Sequence, residues 1–186
     1  MGRAEQLSRA TTTIHVVRHA KAADRARWTG DDAHRPLTRG GQRQAASLGK
    51  RLRDDVGPAA TVIGSSPAIR CRETLDPLAQ HLGVSIASLG QLAEGSSHLD
   101  ALAAMRALGT PRSAGGGAGA RTRSLTRHIV ACTHGDVMWG LLDEFEPLGL
   151  LLPYPSSAPK ACTLEIDFSG ETVVALRYVP PPSSDA

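Results

Sequence analysis

Three basic side chains follow an apolar run near the start of the chain. The run TIHVV (13–17) is rich in β-branched residues and predicts a strand. Arg18 and His19 come directly after this run, and Lys21 is close behind. A strand can simply end where charged residues begin. The alternative is that the strand presents these groups to an anionic ligand. The rest of the sequence is needed to distinguish the two interpretations.

Two further segments repeat this arrangement. RHIVACTHGD (127–136) predicts a buried strand that ends in polar residues, Thr133 and His134 among them, and Arg70 follows the predicted strand TVIGSS (61–66). Arginine guanidinium groups bind phosphate oxygens in a bidentate fashion. One neutral imidazole could attack phosphorus, while a second donates to a phosphate oxygen as charge develops. Together these residues predict a pocket for a phosphoryl group.

A metal site ranks below a phosphate pocket for the same histidines. Metal-binding histidines need carboxylates beside them, whereas arginines surround this pair and raise the cost of a bound cation. We therefore predict no metal and no cofactor. The cysteines Cys71, Cys132 and Cys162 are odd in number and widely spaced. They form no CxxC or zinc-ligand spacing, which favours reduced thiols in a cytosolic protein.

Alternating strand and helix patterns must position these residues. Further strands are predicted at 84–89 and in a terminal pair, ACTLEIDF and TVVALRYV, joined by a tight turn. Helices are predicted at 38–56, with Thr38 as candidate N-cap, at 67–83, with Pro77 as a candidate kink, and at 97–109 and 137–145. Such alternation predicts an α/β fold of three layers, a mostly parallel central sheet with helices on both faces. Ligands of such folds bind beyond the carboxyl ends of the strands, where the basic residues above lie.

Length and composition indicate one globular domain. The chain has 186 residues, 41% hydrophobic and 21% charged, and we predict a single domain over 12–180. A flexible arm (1–11), a mobile Gly-rich loop (109–124) and a flexible tail (181–186) are expected around and within it. The net charge of +3 suits anionic substrates, but with only 3% aromatic residues we expect no nucleic-acid polymer as partner. No stretch approaches a membrane span, so no membrane contact is expected and the cytoplasm is the expected location.

Four motifs in order carry a family resemblance. VVRHAKA, RPLTRGGQRQA (35–45), SSPAIRCRETL (65–75) and CTHGD (132–136) resemble the signatures of the histidine phosphatase superfamily, over roughly residues 12–140. The resemblance implies a phosphoglycerate mutase-like fold. The chain is most similar to single-domain phosphohistidine phosphatases and to the C-terminal phosphatase domain of two-domain Nudix hydrolases. We find no Nudix box, so the latter similarity covers only the phosphatase half.

The resemblance also implies roles for individual residues. His19 would be the nucleophile that becomes phosphorylated, and Arg18, Arg70 and His134 would bind the phosphoryl group, with Arg70 rather than Arg72 in the pocket. Glu94, in the short match L-x-E-G, is the candidate general acid. Asp136 could lie near the site, although we expect it to cap the helix at 137–145.

The segment after His19 is strongly basic and contains one of the two tryptophans. It predicts tentative substrate contacts for a second phosphate or an acidic partner surface, and Trp28 would stack on a base or cover the site. The alternative is a solvated charged loop. The candidate residues are Lys21, Arg25, Arg27, Trp28 and Arg35.

The sequence thus predicts a metal-independent phosphatase of the histidine acid type. Its substrate would be a phosphomonoester, a phosphohistidine protein or a nucleotide phosphate, hydrolysed through a phosphohistidine intermediate. Three alternatives stay open: phosphoryl transfer of the phosphoglycerate mutase type, an inactive phosphate-binding or interaction module, and metal-assisted hydrolysis. A mutase is disfavoured because the short chain has no large insertion between Arg70 and Glu94 to close over a substrate.

Overall fold

The computed structural model describes residues 11–57, 61–110, 127–149 and 158–183. Within them the strands are β1 (Thr11–Arg18), β2 (Thr61–Ser65), β3 (Ile86–Ser88), β4 (Arg127–Thr133), β5 (Thr163–Ser169) and β6 (Thr172–Val179). The α-helices are α1 (Arg39–Val56), α2 (Ile69–Leu82), α3 (His98–Gly109) and α4 (Gly135–Phe145). Nearly all of the predicted arm (1–11), most of the predicted Gly-rich loop (109–124) and the end of the predicted tail (181–186) lie outside the described residues.

The strands form one sheet in the order β3-β2-β4-β1-β5-β6. The first four strands in this order run parallel to one another, while β5 pairs antiparallel with β1 and β6 with β5. The prediction of a mostly parallel sheet is confirmed. The register aligns Arg18 with Thr133 and Ser65 with Cys132. As a result, the carboxyl ends of β1, β4 and β2 lie side by side.

Helices cover both faces of the sheet, as predicted. Successive residues of a strand point to opposite faces. Accordingly, Ile14 and Val16 of β1 join an apolar cluster with α3 and α4, whereas Val17 joins a second cluster with α1 and α2. β4 alternates in the same way. Because both faces are buried, the central strands are apolar along their length and polar only where they end.

The helix boundaries agree with the sequence analysis at most points and correct it at one. Thr38 caps α1 through a hydrogen bond accepted from the Gly41 amide, as predicted. The helix α2 continues through Pro77. Asp136, however, does not cap α4, because the helix already begins at Gly135 and its N-cap position is His134. The Asp136 carboxylate instead accepts a hydrogen bond of 2.6 Å from the Gly95 amide.

The segment 19–38, called here the first loop, is folded into two single turns of 3₁₀ helix. These turns span Arg25–Arg27 and Asp32–His34, and the aspartate before each turn accepts a hydrogen bond from a backbone amide within it. An isolated β-bridge between Ala22 and Leu37 joins the two ends of the loop. The loop is therefore held in a defined shape over the carboxyl end of the sheet.

Two adjacent glycines in α1 allow a direct test of how this loop is packed. A Cβ atom at Gly41 would lie 2.0 Å from the Lys21 carbonyl oxygen, whereas one at Gly40 would approach nothing closer than 3.7 Å. Gly41→Ala should therefore destabilise the fold by about 1–3 kcal/mol or more through overpacking. Gly40→Ala should be neutral or stabilising by up to about 1 kcal/mol, because alanine favours a helix. Urea unfolding of both variants measures the difference, and equal stabilities would contradict the packing described here.

Candidate active site

Three side chains meet where the parallel strands end. His19, Ser66 and His134 are the first residues after β1, β2 and β4. The His19 amide donates to the Thr133 carbonyl oxygen, and the Ser66 amide donates to the Cys132 carbonyl oxygen. The backbone hydrogen bonds between the parallel strands therefore continue for one residue into the site. The rings of His19 and His134 are 5.4 Å apart between centroids and inclined at 65°. Both histidines therefore face the same small space.

His19 is held in one tautomer by the backbone. Its Nδ1 atom donates a hydrogen bond of 2.8 Å to the Ala20 carbonyl oxygen, so the lone pair of the neutral ring is on Nε2. The peptide group of this carbonyl is held through the Lys21 amide, which donates to the side-chain oxygen of Gln44 at 3.0 Å. The Ala20 amide donates to the hydroxyl of Thr74 in α2 at 3.0 Å. Burial and the nearby Lys160 ammonium lower the pKa of His19 to about 2. His19 is consequently a neutral imidazole with an unprotonated Nε2 in ordinary buffers.

His134 is anchored on one side of its ring and faces Arg70 and Glu94 on the other. Its Nε2 atom lies 2.9 Å from the Ser66 hydroxyl oxygen, in a buried hydrogen bond. Its Nδ1 atom lies 3.4 Å from Nη2 of Arg70 and 3.9 Å from a carboxylate oxygen of Glu94. Cys71 also approaches Nε2, at 3.6 Å from its Sγ atom. The ring thus presents Nδ1 to the centre of the site.

Arg70 is the most deeply placed cation of the site, with only 2% of its side chain exposed. It is the second residue of α2. Its Nη1 atom donates to the Asp32 carbonyl oxygen at 2.7 Å, and Nη2 lies 3.0 Å from carboxylate oxygens of both Asp32 and Glu94. Arg72, two positions on, is exposed. The guanidinium group is therefore fixed in position by the loop carboxylates before any substrate binds.

Arg18, the last residue of β1, extends its side chain to the amino end of α4. Its guanidinium group packs on Gly135, where a Cβ atom would come within 2.9 Å of it, and one nitrogen donates to the Ala158 carbonyl oxygen. The Nε atoms of Arg18 and Arg70 are buried and have no hydrogen-bond partner among the described residues. Buried donors of this kind favour an acceptor, and a phosphoryl oxygen is one that suits them.

Glu94 lies at the rim, where its side chain is 43% exposed. Its carboxylate contacts Arg25 at 2.5 Å and Arg70 at 3.0 Å. Burial acts to raise the pKa of Glu94, but these guanidinium groups together with His134 outweigh it and lower that pKa. The carboxyl group is therefore ionised in the free protein at neutral pH. A role as proton donor requires that an incoming anion first draws the cations away from it.

The first-loop candidates are distributed unequally around the site. Arg25 contacts the carboxylates of Asp32 and Glu94 at the site. The Nε atom of the buried Arg35 lies 2.8 Å from a carboxylate oxygen of Asp32. The remaining candidates do not contact the residues described above. Arg27 pairs with Asp24 on the surface, the Trp28 indole donates to the carbonyl oxygen of Asp31 in its own loop, and the side chain of Lys21 is exposed.

Three residues of the site were missed by the sequence analysis: Asp32, Ser66 and Lys160. Lys160 approaches His19 to 3.0 Å, measured from its Nζ atom to Nε2. Its position follows from β5, which is antiparallel to β1 and so begins at the end of the sheet where β1 finishes. The terminal strand pair was visible in the sequence. The sequence did not show that β5 pairs with β1. Knowledge of this pairing would have been enough to place Lys160 at the site.

An open cavity of about 220 Å³ connects Arg70 and His134 with the solvent. It is lined by Ser66, Arg70, His134, Asp32 and Glu94. Arg70 is the cation of this lining, and Asp32 and Glu94 are its carboxylates. Among the described residues, no group of three or more His, Cys, Asp or Glu side chains is arranged to hold a metal ion. None of the helices in the described part of the chain is both long and apolar enough to cross a membrane.

Comparison with known proteins identifies a curated relative. An 8-oxo-(d)GTP phosphatase from Mycolicibacterium smegmatis is 31% identical over 172 residues, which make up 92% of this chain and 49% of that protein. The chain thus spans about half the length of this relative.

Solved structures with the same fold have lower sequence identity. A protein from Agrobacterium tumefaciens assigned as the phosphohistidine phosphatase SixA superposes with a TM-score of 0.61 at 22% identity, over 84% of this chain and 91% of that one. A phosphoglycerate mutase from Plasmodium falciparum gives a TM-score of 0.54 at 18% identity, over 94% and 92% of the two chains. These similarities confirm the phosphoglycerate mutase-like fold. Residues 14–98 match the family model described as the histidine phosphatase superfamily (branch 1).

Proposed function

We propose that the chain is a phosphatase that transfers the phosphoryl group of its substrate to Nε2 of His19 and then to water. The observation that carries this proposal is the state of His19, a neutral imidazole whose Nδ1 donates to the Ala20 carbonyl oxygen. A nucleophile needs a free lone pair and a fixed direction of attack, and this hydrogen bond supplies both. The same ring lies beside His134 at the end of the sheet.

The reaction proceeds in two displacements. The Nε2 lone pair of His19 attacks phosphorus, a P–N bond forms, and the P–O bond to the leaving group breaks with its electron pair going to the leaving oxygen. Water then attacks the phosphorus atom and gives up a proton to the Glu94 carboxylate, while the P–N bond breaks and its electron pair returns to Nε2. Fixed cations lower both barriers, because phosphoryl transfer depends mainly on positioning and on stabilisation of charge.

In this proposal Arg18, Arg70 and His134 bind the phosphoryl oxygens. The guanidinium groups of Arg18 and Arg70 each have a buried Nε atom without a partner among the described residues. The amino ends of α2 and α4 are nearby, and helix amino ends favour anions. Negative charge is therefore stabilised by fixed cations and peptide dipoles.

Glu94 is proposed to protonate the leaving oxygen. An incoming phosphoryl group would compete with the carboxylate for Arg70 and His134, and its negative charge together with burial would raise the pKa of Glu94, so that the carboxyl group takes up a proton before it donates one to the leaving oxygen. The Glu94→Gln variant should then hydrolyse alkyl phosphates on the order of 10²-fold more slowly than the wild type. It should hydrolyse p-nitrophenyl phosphate within a few-fold of the wild-type rate, because nitrophenolate leaves without a proton.

Steady-state kinetics with both substrates measure this contrast. Glu171→Gln, a change in an exposed turn far from the site, serves as the control and should affect neither rate. A loss of the same size for both substrates would show that Glu94 acts by binding or packing and does not donate a proton.

Nucleotide phosphates are the proposed substrate class. The M. smegmatis relative is an 8-oxo-(d)GTP phosphatase, and Arg25 at the rim of the cavity offers a cation to a second phosphate. The test is a phosphate-release assay with 8-oxo-dGTP, dGTP, a nucleoside monophosphate, a sugar phosphate and a phosphohistidine peptide. Preferential release from the nucleotides supports the proposal. Preference for the peptide would assign a protein substrate, and release from none of them would contradict a phosphatase.

We also propose a cytoplasmic location. Cys71, Cys132 and Cys162 are buried free thiols. Unpaired buried thiols suit a reducing compartment, since disulfides form mainly in oxidising ones.

A further inference from the structure

The ammonium group of Lys160 contacts the atom that is proposed to attack phosphorus. Its Nζ atom lies 3.0 Å from Nε2 of His19 and donates a hydrogen bond to it. No carboxylate lies within ion-pair distance of Lys160 in the described ranges. Half-buried lysines normally have a partner, because an ammonium ion loses hydration when it enters a protein. This lysine is therefore held at the nucleophile without a carboxylate that would explain its position.

The backbone directly after Lys160 is fixed in an unusual conformation. Ala161 has a φ of +65°, and it is the only non-glycine residue with positive φ in the described part of the chain. Such a conformation costs energy for a residue with a Cβ atom and is concentrated at functional sites. The Ala161 amide donates to the Arg18 carbonyl oxygen at 3.0 Å, and the Arg18 amide donates to the Cys162 carbonyl oxygen at 3.1 Å. The turn is thus attached to the end of β1, directly beside His19.

We propose that Lys160 is a further catalytic residue, one that donates a hydrogen bond to an oxygen of the phosphoryl group as that group moves to and from His19. This role rests on the proposed function. In the free protein the ammonium group occupies the Nε2 lone pair. A phosphoryl oxygen that reaches the site takes over this hydrogen bond, and the lone pair becomes free to attack.

The position of Lys160 distinguishes this role from that of a proton donor. The leaving oxygen must lie opposite Nε2 across the phosphorus atom, in line with the attack. A group that contacts Nε2 is on the nucleophile's side of the phosphorus atom, so once the substrate displaces it from the lone pair it reaches the oxygens that stay on phosphorus. Lys160 therefore keeps its proton throughout both displacements. The charge it stabilises is the one that develops on the transferring group, where a fixed donor has its largest effect.

The charges around Lys160 make the proposal sensitive to pH. Burial together with Arg18 of β1, Arg70 of α2 and Arg35 of the first loop lowers the pKa of Lys160 to about 8, against a smaller opposite effect of Glu94. The imidazole of His19 is the nearest further titratable group. Because donation requires the ammonium form, wild-type kcat/KM should fall as the pH rises through about 8. In the substrate complex the phosphoryl charge raises the pKa, so the fall in kcat should come at higher pH.

The test compares Lys160→Met and Lys160→Arg with Lys50→Met, a control on the exposed face of α1. Lys160→Met should lower kcat/KM by about 10²-fold, the usual cost of losing one donor of this kind. In contrast to the wild type, kcat/KM of Lys160→Met should not decrease as the pH rises through about 8. Lys160→Arg should restore part of the rate and move the fall to higher pH. Lys50→Met should match the wild type in both respects.

Binding of tungstate, a tetrahedral oxyanion, separates this proposal from the proposed function. By calorimetry, Lys160→Met should bind tungstate about tenfold more weakly than the wild type, with an unchanged thermal unfolding midpoint. If the wild type hydrolyses nothing but the binding loss is observed, the phosphatase is wrong and the oxyanion role of Lys160 stands. Wild-type tungstate affinity in Lys160→Met, or an alkaline fall of kcat/KM that persists in it, would overturn the proposal.

Discussion

Replacing His19 with asparagine should lower kcat by about 10⁴-fold or more, with every substrate that the wild type hydrolyses. Asparagine is chosen because its amide nitrogen can take the place of Nδ1 and keep the 2.8 Å hydrogen bond to the Ala20 carbonyl oxygen. The substitution removes Nε2 and with it the lone pair that attacks phosphorus. Arg18, Arg70 and His134 remain, so the variant should still bind an oxyanion.

Rapid quenching of the reaction with a labelled substrate provides the matching measurement. The wild type should form an acid-labile phosphoenzyme, and His19→Asn should form none. His81→Asn, which alters an exposed histidine of α2, controls for the loss of a histidine elsewhere. Turnover of His19→Asn at a rate close to that of the wild type would exclude the covalent route and leave direct attack by water on the substrate.

Replacing Arg70 with lysine should lower kcat/KM by about 10³-fold, even though the charge is kept. The guanidinium group bonds to the Asp32 carbonyl oxygen through Nη1 and meets the carboxylates of Asp32 and Glu94 through Nη2. A lysine ammonium group cannot make these contacts at the same time from a buried position. The lysine variant would lose the fixed position of the cation and the pair of parallel N–H donors that is proposed to bind two phosphoryl oxygens.

Arg72→Lys is the matched control, because the two arginines are two positions apart in α2 and differ mainly in where they point. Arg72 is exposed, and its change should leave kcat/KM within about twofold of the wild type, as surface substitutions usually do. Far-UV circular dichroism and thermal unfolding check that Arg70→Lys is folded. Equal effects of the two substitutions would remove Arg70 from the proposed phosphoryl site.

The sequence was informative about the parallel part of the sheet, and the reason is physical. Strands buried on both faces must be apolar along their length, so Arg18 and Thr133 mark where β1 and β4 end. In parallel strands those ends meet at one edge, which predicts that His19 and His134 lie at the same edge of the sheet. The structure places their ring centroids 5.4 Å apart. The prediction of a mostly parallel α/β fold is confirmed on the same grounds.

The contacts that refine the site could not be predicted in this way. Lys160 reaches His19 because β5 pairs with β1, and apolar alternation does not specify which strand is the neighbour. The pairing of Asp32 with Arg25, Arg35 and Arg70 depends on two short turns in the first loop, whose shape has no periodic signal. Basic residues in a loop are equally compatible with a site and with a solvated surface.

The prediction for Asp136 was wrong for a related reason. An aspartate near the start of a helix is a common cap, but capping requires it to precede the first helical residue. The helix α4 begins at Gly135, so Asp136 is already inside its first turn. From there its carboxylate reaches the Gly95 amide. This contact lies next to Glu94 and ties the segment of the candidate general acid to α4.

The position of β1 between β4 and β5 has a consequence for synthesis on the ribosome. His19 is made early, whereas its contact Lys160 is 141 positions further along the chain. At about 5–20 residues per second, the nucleophile exists for several seconds or more before its surroundings do. Because β1 takes both its neighbours from much later segments, the topology has a high contact order, which slows folding. A nascent chain therefore lacks the complete candidate site until β5 has emerged and paired.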